Sequence, residues 1–129
     1  MLLTVAVWIS IALAFGMAAL QFSLICGAPL GEYVLGGAHQ VLPARMRFVS
    51  GFFAAFFVVA GMSFMHRAGI VTPLFSASFV NVLLVIYTLF LAYAIVGNGF
   101  LTKSRKERYV MTPLSAIGCI SSVYALFCI

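Results

Sequence analysis

Charge is what this sequence lacks. Nine of its 129 residues are Asp, Glu, Lys or Arg, none is Asp, and the acidic side chains are Glu32 and Glu107 alone. A soluble domain carries roughly a quarter charged residues and about half apolar ones; here the figures are 7% and 65%. No soluble core hides that much apolar surface in so short a chain, so a soluble fold is excluded. The remaining charges are not scattered. They fall in three short strips, and four long runs between them hold none.

Each run is about as long as the 20 apolar residues that carry a helix across roughly 30 Å of hydrocarbon. The fold class expected is therefore all-α: a four-helix bundle of transmembrane helices, antiparallel, forming one integral membrane domain over residues 1–129 with no room for a soluble one. The first helix is expected over about 2–26, ended by Gly27-Ala28-Pro29 because proline cannot continue the hydrogen-bond ladder. It lacks the basic start of a signal peptide and is read as a mature helix. The second spans about 47–65, with Gly69 breaking the pattern after His66-Arg67.

Thr72-Pro73 supplies a capping hydroxyl followed by proline at a first helical position, which predicts a third helix over 73–96, stopped at Gly97-Asn98-Gly99. For the fourth, over about 105–129, two starts compete. Ser104 and Glu107 make a capping box, and Thr112-Pro113 repeats the earlier signal. The first would need Pro113 to kink a helix already under way, so the reading adopted is a short amphipathic turn from Arg105 followed by a span from Thr112 to Ile129, with a single bent helix left open. The Thr-Pro-Leu triplets at 72 and 112 are too short to establish an inverted repeat.

Orientation follows from the bias of Lys and Arg toward the cytoplasmic side. The first and third loops hold Arg45, Arg47, Lys103, Arg105, Lys106 and Arg108, while the second holds only Arg67. Six against one predicts loops 1 and 3 in the cytoplasm and both termini on the outer side. The aromatic residues agree, since Tyr33, Tyr93 and Tyr109 fall near the inner interface and Trp8 and Tyr124 near the outer, where such rings settle.

Scarcity also limits the chemistry. The three cysteines, Cys26, Cys119 and Cys128, fall at the inner end, middle and outer end of the bundle; the last two lie about 13 Å apart along one helix, beyond the roughly 7 Å between alpha carbons that a disulfide allows. With no Cys-x-x-Cys pair, a thiol oxidoreductase is disfavoured. His39 and His66 lie at the membrane edges, which disfavours haem held between helices, and no set of three or four ligands suggests zinc or iron. No metal, cofactor or nucleic-acid partner is expected.

Loop 1 is the strongest candidate site. Residues 27–46 are too apolar for a solvated loop and too glycine-rich for a helix, so the segment is expected to fold back into the inner interface, where irregular backbone survives only if protein or water satisfies it. Glu32 would then pair with Arg47, Arg45 or His39. That pairing either pins the loop or holds an ion or polar headgroup. Lys103, Arg105, Lys106 and Arg108 form a stop signal meeting anionic lipid headgroups, at about 1 kcal/mol per basic residue.

Within the spans, Ser10, Asn81, Ser121 and Ser122 all lie about 12 Å from the outer ends and are read as a polar layer. Ala12 with Gly16, Gly51 with Ala55 and Gly118 with Ser122 recur at the four-residue spacing that lets helices approach closely. Phe52, Phe53, Phe56 and Phe57 point in too many directions for one seam, so some must face lipid or a partner.

The strips Gly27-Ala28-Pro29-Leu30-Gly31-Glu32, Gly36-Gly37 with His39, Leu42-Pro43 with Arg47, and Ser104-Arg105-Lys106-Glu107-Arg108 followed by Met111-Thr112-Pro113 resemble those of a group of small, uncharacterised bacterial four-helix membrane proteins with no activity attached. The resemblance implies a multi-pass protein of the bacterial cytoplasmic (inner) membrane. Three functions compete. The leading one is a non-enzymatic accessory, scaffold or regulatory subunit, as a homo-oligomer or within a larger complex. The second is a small oligomeric transporter or channel with Glu32 in its pathway, and the third an interfacial lipid or quinone enzyme using His39 and Glu32 as acid and base.

Overall fold

The computed structural model describes residues 2–27, 29, 41, 43–70, 76–101, 105 and 107–128. Among them the chain is all helical, without strands: α1 (Leu2–Ile25), α2 (Ala44–Arg67), α3 (Ala77–Val96) and α4 (Thr112–Cys128). With their continuations at one end of α3 and α4, all four are long and apolar enough to cross a membrane. The 24 residues of α1 and of α2 measure about 36 Å at 1.5 Å per residue.

The helix ends show how local chemistry sets the boundaries. Gly27 adopts φ +94° and its N–H reaches Leu24 O at 3.2 Å, closing α1 with the residue that enters left-handed backbone most cheaply. α2 starts three residues earlier than expected, because Pro43 itself stands at the N-cap and its carbonyl accepts from Met46 N and Arg47 N. Arg45 and Arg47 are thus in the first turn of the helix. Its other end is a Schellman turn: Gly69, at φ +75°, donates to His66 O at 3.0 Å, and Ile70 N donates to Met65 O at 2.9 Å.

Two further expected boundaries change. α3 starts at Ala77 rather than Pro73, with Ser76 Oγ accepting from Phe79 N at 3.2 Å; Thr72-Pro73 lies outside the described residues. Gly97 does not stop the helix. Its φ −61°, ψ −45° are helical, and Gly97–Leu101 continues as a π turn. A second π turn, Glu107–Met111, leads directly into α4, so Pro113 falls where the π turn gives way to regular helix and, lacking an N–H, interrupts the hydrogen-bond ladder there.

α1 packs most extensively on α2 and α3 on α4, while α1 also meets α4 and α2 meets α3 more sparsely. Successive helices run in opposite senses. Arg67 at the end of α2 reaches Asn81 near the start of α3 and Leu126 near the end of α4, and Gly99 faces Thr112 at the opposite end.

The buried positions explain this arrangement. They include Met111 at the end of the second π turn and Ser115, Gly118, Ser122 and Ala125 in α4; Val80, Leu84, Tyr87 and Leu91 in α3; and Val7, Ile11, Ala14, Ala18 and Gln21 in α1. Alternating steps of four and three residues give the 3.5-residue period of helices packed knobs-into-holes. Size varies along these seams. α1 adds Ala6 and Ser10 to Ala14 and Ala18, at four-residue spacing, and α2 offers Ala60 and Gly61, so the two backbones approach closely. A Cβ at Gly61 would lie 2.8 Å from the Phe15 ring.

Between α2 and α3 the opposite choice is made. Phe53, Phe56, Phe57 and Phe64 meet Tyr87 and Phe90 with ring centroids 5.5–6.1 Å apart, the range of favourable offset and edge-to-face pairs. Phe52 is exposed while Phe57 is buried, so the phenylalanine run divides between outside and core as expected.

The close-packing stripes are corrected in part. Gly118 and Ser122 are buried in the interface, a Cβ at Gly118 lying 3.2 Å from Leu91 and 3.4 Å from Leu13. Ala12 and Gly16 are instead exposed, with open space around Gly16, and Ala55 is exposed while Gly51 is half-buried. The stripe that α1 uses is Ala6-Ser10-Ala14-Ala18, on another face of the same helix.

Candidate functional site

The four helices bring polar groups together in three places. The first is where α1 ends and α2 begins. Arg47 is half-buried, and one of its terminal nitrogens lies 3.6 Å from where a Cβ would stand on Gly27, so its guanidinium packs across the end of α1. Arg45 is exposed. Glu32 and His39 lie outside the described residues, as do Lys103 and Lys106. Arg105 and Arg108 are exposed at this same end, where α4 begins.

The second place is the interior between α3 and α4, where the predicted polar layer divides. Ser122 Oγ lies 2.6 Å from Thr88 Oγ1, which in turn is 2.8 Å from Leu84 O. A threonine hydroxyl has one proton, so Thr88 donates it to its own helix and Ser122 donates to Thr88. Ser121 donates to Ile117 O in α4. Ser10 is fully buried and its hydroxyl has no partner among the described residues. Asn81 is exposed and engaged by Arg67. Depth alone therefore grouped side chains that direction separates, and it passed over Thr88. The signal for Thr88 is its isolation as a hydroxyl inside an otherwise apolar run of α3.

Nearer the basic end, Asn98 in the π turn donates from Nδ2 to Ser115 Oγ at 3.2 Å, and Thr112 Oγ1 is buried without a partner among the described residues. Cys119 Sγ sits 3.9 Å from Thr88 O, and both Cys26, which is exposed, and Cys119 are free thiols. No group of three His, Cys, Asp or Glu gathers among the described residues.

The third place was counted in the sequence only as a topological charge. Arg67, in the last turn of α2, donates from one terminal nitrogen to Asn81 Oδ1 and from the other to Leu126 O at 3.4 Å, tying α2 to α3 and α4. Its Nε is buried and unpaired among the described residues, as is His66 Nδ1. Beside Arg67 lies an open-sided cavity of about 280 Å³, lined on the α1 side by Leu3, Thr4, Val7 and Trp8 and on the α2 side by Ala68 and Ile70 of the Schellman turn. The sequence signal was the one basic side chain on its side of the chain, next to a Trp placed at the same end.

No family model, curated protein or solved structure matches the chain. The resemblance drawn on the loop strips thus gains no support from these comparisons.

Proposed function

We propose that this chain is a non-enzymatic accessory, scaffold or regulatory subunit of a bacterial inner membrane, with loops 1 and 3 cytoplasmic and both termini outside. The observation that carries the reading is how the bundle is filled. Six rings occupy the space between α2 and α3, alanine and glycine close α1 against α2, and the interior hydroxyls Ser63, Thr88 and Ser121 are spent on the carbonyls of their own helices. Such an interior supports a rigid body better than it supports a path for a polar solute. The outside is correspondingly rich in contact surface. Only 22% of the α3 span is buried against 33% of each other span, and Val82, Val85, Ile86 and Leu89 of α3 face outward.

The setting is inferred from the loop resemblance and from the concentration of basic residues at one end of the bundle. The reading is tested by cross-linking in native membranes followed by mass spectrometry of co-purifying proteins, alongside flux assays on the purified chain in liposomes. A stoichiometric membrane partner and no flux above empty liposomes is the expected result. Solute or ion movement by the chain alone, abolished by Glu32→Gln, overturns it.

A further inference from the structure

We propose that Arg67 and the cavity beside it form a binding site for a membrane phospholipid, with the lipid's phosphodiester on the guanidinium and one acyl chain on the outer face of α1. This site lies at the end of the bundle opposite the basic strips, and the proposal stands independently of the scaffold reading.

The first argument is electrostatic. Arg67 carries its positive charge at the end of α2, half-buried and with Nε unpaired among the described residues. Its two protein acceptors, Asn81 Oδ1 and Leu126 O, are neutral. A guanidinium has five N–H groups, so donors remain for an oxygen-rich anion, for which its fork is well shaped. Among the described residues no acidic side chain stands here. Glu107 opens the π turn that leads into α4, at the far end of the bundle. Glu32 follows Gly27, also at the far end, by five residues, a reach of at most about 18 Å against the roughly 36 Å length of α1. Among the described residues no acidic group pairs with Arg67, which leaves its charge open to an external anion, and at the edge of a membrane span the abundant anion is a lipid phosphate.

The second argument is shape. About 280 Å³ falls just below the roughly 300–1,000 Å³ of pockets that enclose a whole small molecule. Leu3, Val7, Trp8 and Ile70 make its wall apolar, and Thr4 and Arg67 supply the polar groups. That combination suits a headgroup with its first methylenes, provided the rest of the chain has a track to follow. α1 supplies one. Thr4, Trp8, Ala12 and Gly16 recur every four residues and are all exposed, so they share a face that starts at the cavity rim and runs toward mid-span. Ala12 and Gly16 leave its inner half low and open, and nothing lies within 4 Å of a Cβ built on Gly16. The helix-packing role expected of Ala12 and Gly16 is not the one they serve, and an acyl chain fits the space they leave.

Trp8 is the only tryptophan in the chain and lines the cavity, so its fluorescence reports occupancy. The protein is reconstituted at fixed mole fractions of chain-brominated phosphatidylglycerol, or of diacylglycerol carrying the same brominated chains without the phosphate. The phospholipid should quench Trp8 at lower mole fraction than the diacylglycerol. A hydrogen bond to a charged group contributes about 1.5–3 kcal/mol, so Arg67→Gln should weaken the phospholipid's preference about tenfold or more, bringing the two lipids together. Gly16→Leu, whose Cβ meets nothing within 4 Å, raises a side chain in the path of the acyl chain and should weaken quenching by both. Asn81→Ala breaks the tie to α3 but keeps the charge, and should leave the preference intact.

Equal quenching by the two lipids in the wild-type chain overturns the proposal. So does a preference that survives Arg67→Gln, or one lost equally in Asn81→Ala, which would make Arg67 a helix tie only. Competition by millimolar inorganic phosphate would overturn the lipid assignment in favour of a free-anion site.

Discussion

At the residue scale, the polar groups inside the spans hold the bundle together one bond at a time. Thr88 spends its proton on Leu84 O, so the 2.6 Å contact with Ser122 is a bond that Ser122 donates. Such interhelical bonds contribute about 0.6 kcal/mol on average and seldom more than about 1.7, because the separated helices find other partners. Ser122→Ala and Thr88→Val should each cost about that much, and the double variant little more than either alone. Reversible unfolding in mixed micelles, read as a double-mutant cycle, measures the coupling; additive losses would mean that the two hydroxyls do not interact. A residue count places Ser122 along the helix but does not name its partner. Direction around the helix decides that, and a residue count from the membrane edge carries no direction.

At the scale of the element, the four helices were legible and their inward faces were not. In a soluble helix one stripe is apolar and the rest polar, so periodicity reveals the buried side. Here Val82, Ile86 and Leu89 face outward and Val80, Leu84 and Leu91 inward along one helix, and hydrophobicity cannot separate them because lipid is as apolar as the core. Size and polarity carry the information instead, as the buried Ala6-Ser10-Ala14-Ala18 stripe shows. Ala12-Gly16 satisfies the same spacing rule on an exposed face. The two stripes predict opposite responses. Gly61→Ala drives a methyl to within 2.8 Å of the Phe15 ring that packs against α2, and overpacking of this kind costs about 1–3 kcal/mol. Gly16→Ala meets open space and should be neutral or slightly stabilising. Thermal unfolding of both variants, with Phe15→Leu restoring part of the Gly61→Ala loss, checks the assignment; equal losses would show that α1 packs by its other stripe.

At the scale of the whole molecule, the two ends of the bundle differ in charge. Arg45 and Arg47 in the first turn of α2, with Arg105 and Arg108 before α4, stand at one end, and Arg67 stands at the other between α2, α3 and α4. The sequence made this asymmetry countable, because helices of alternating sense send the first and third connections to the same end. It could not show that Arg67 is built into the helix packing while Arg45 and Arg108 are exposed, since that depends on which neighbours the last turn of α2 meets. Orientation in the membrane then follows from the bias of basic residues toward the cytoplasm, and Cys26 makes it measurable. Its side chain is exposed at the end of α1, one residue before the glycine that packs against Arg47. With Cys119 and Cys128 replaced by Ser, a membrane-impermeant maleimide should label Cys26 in inverted vesicles and not in intact cells, while a cysteine introduced at exposed Ile70, beside Arg67, should show the reverse. Labelling of Cys26 from outside the cell would invert the topology and put Arg67 on the cytoplasmic face, leaving the lipid site with the same chemistry but the other leaflet to draw from.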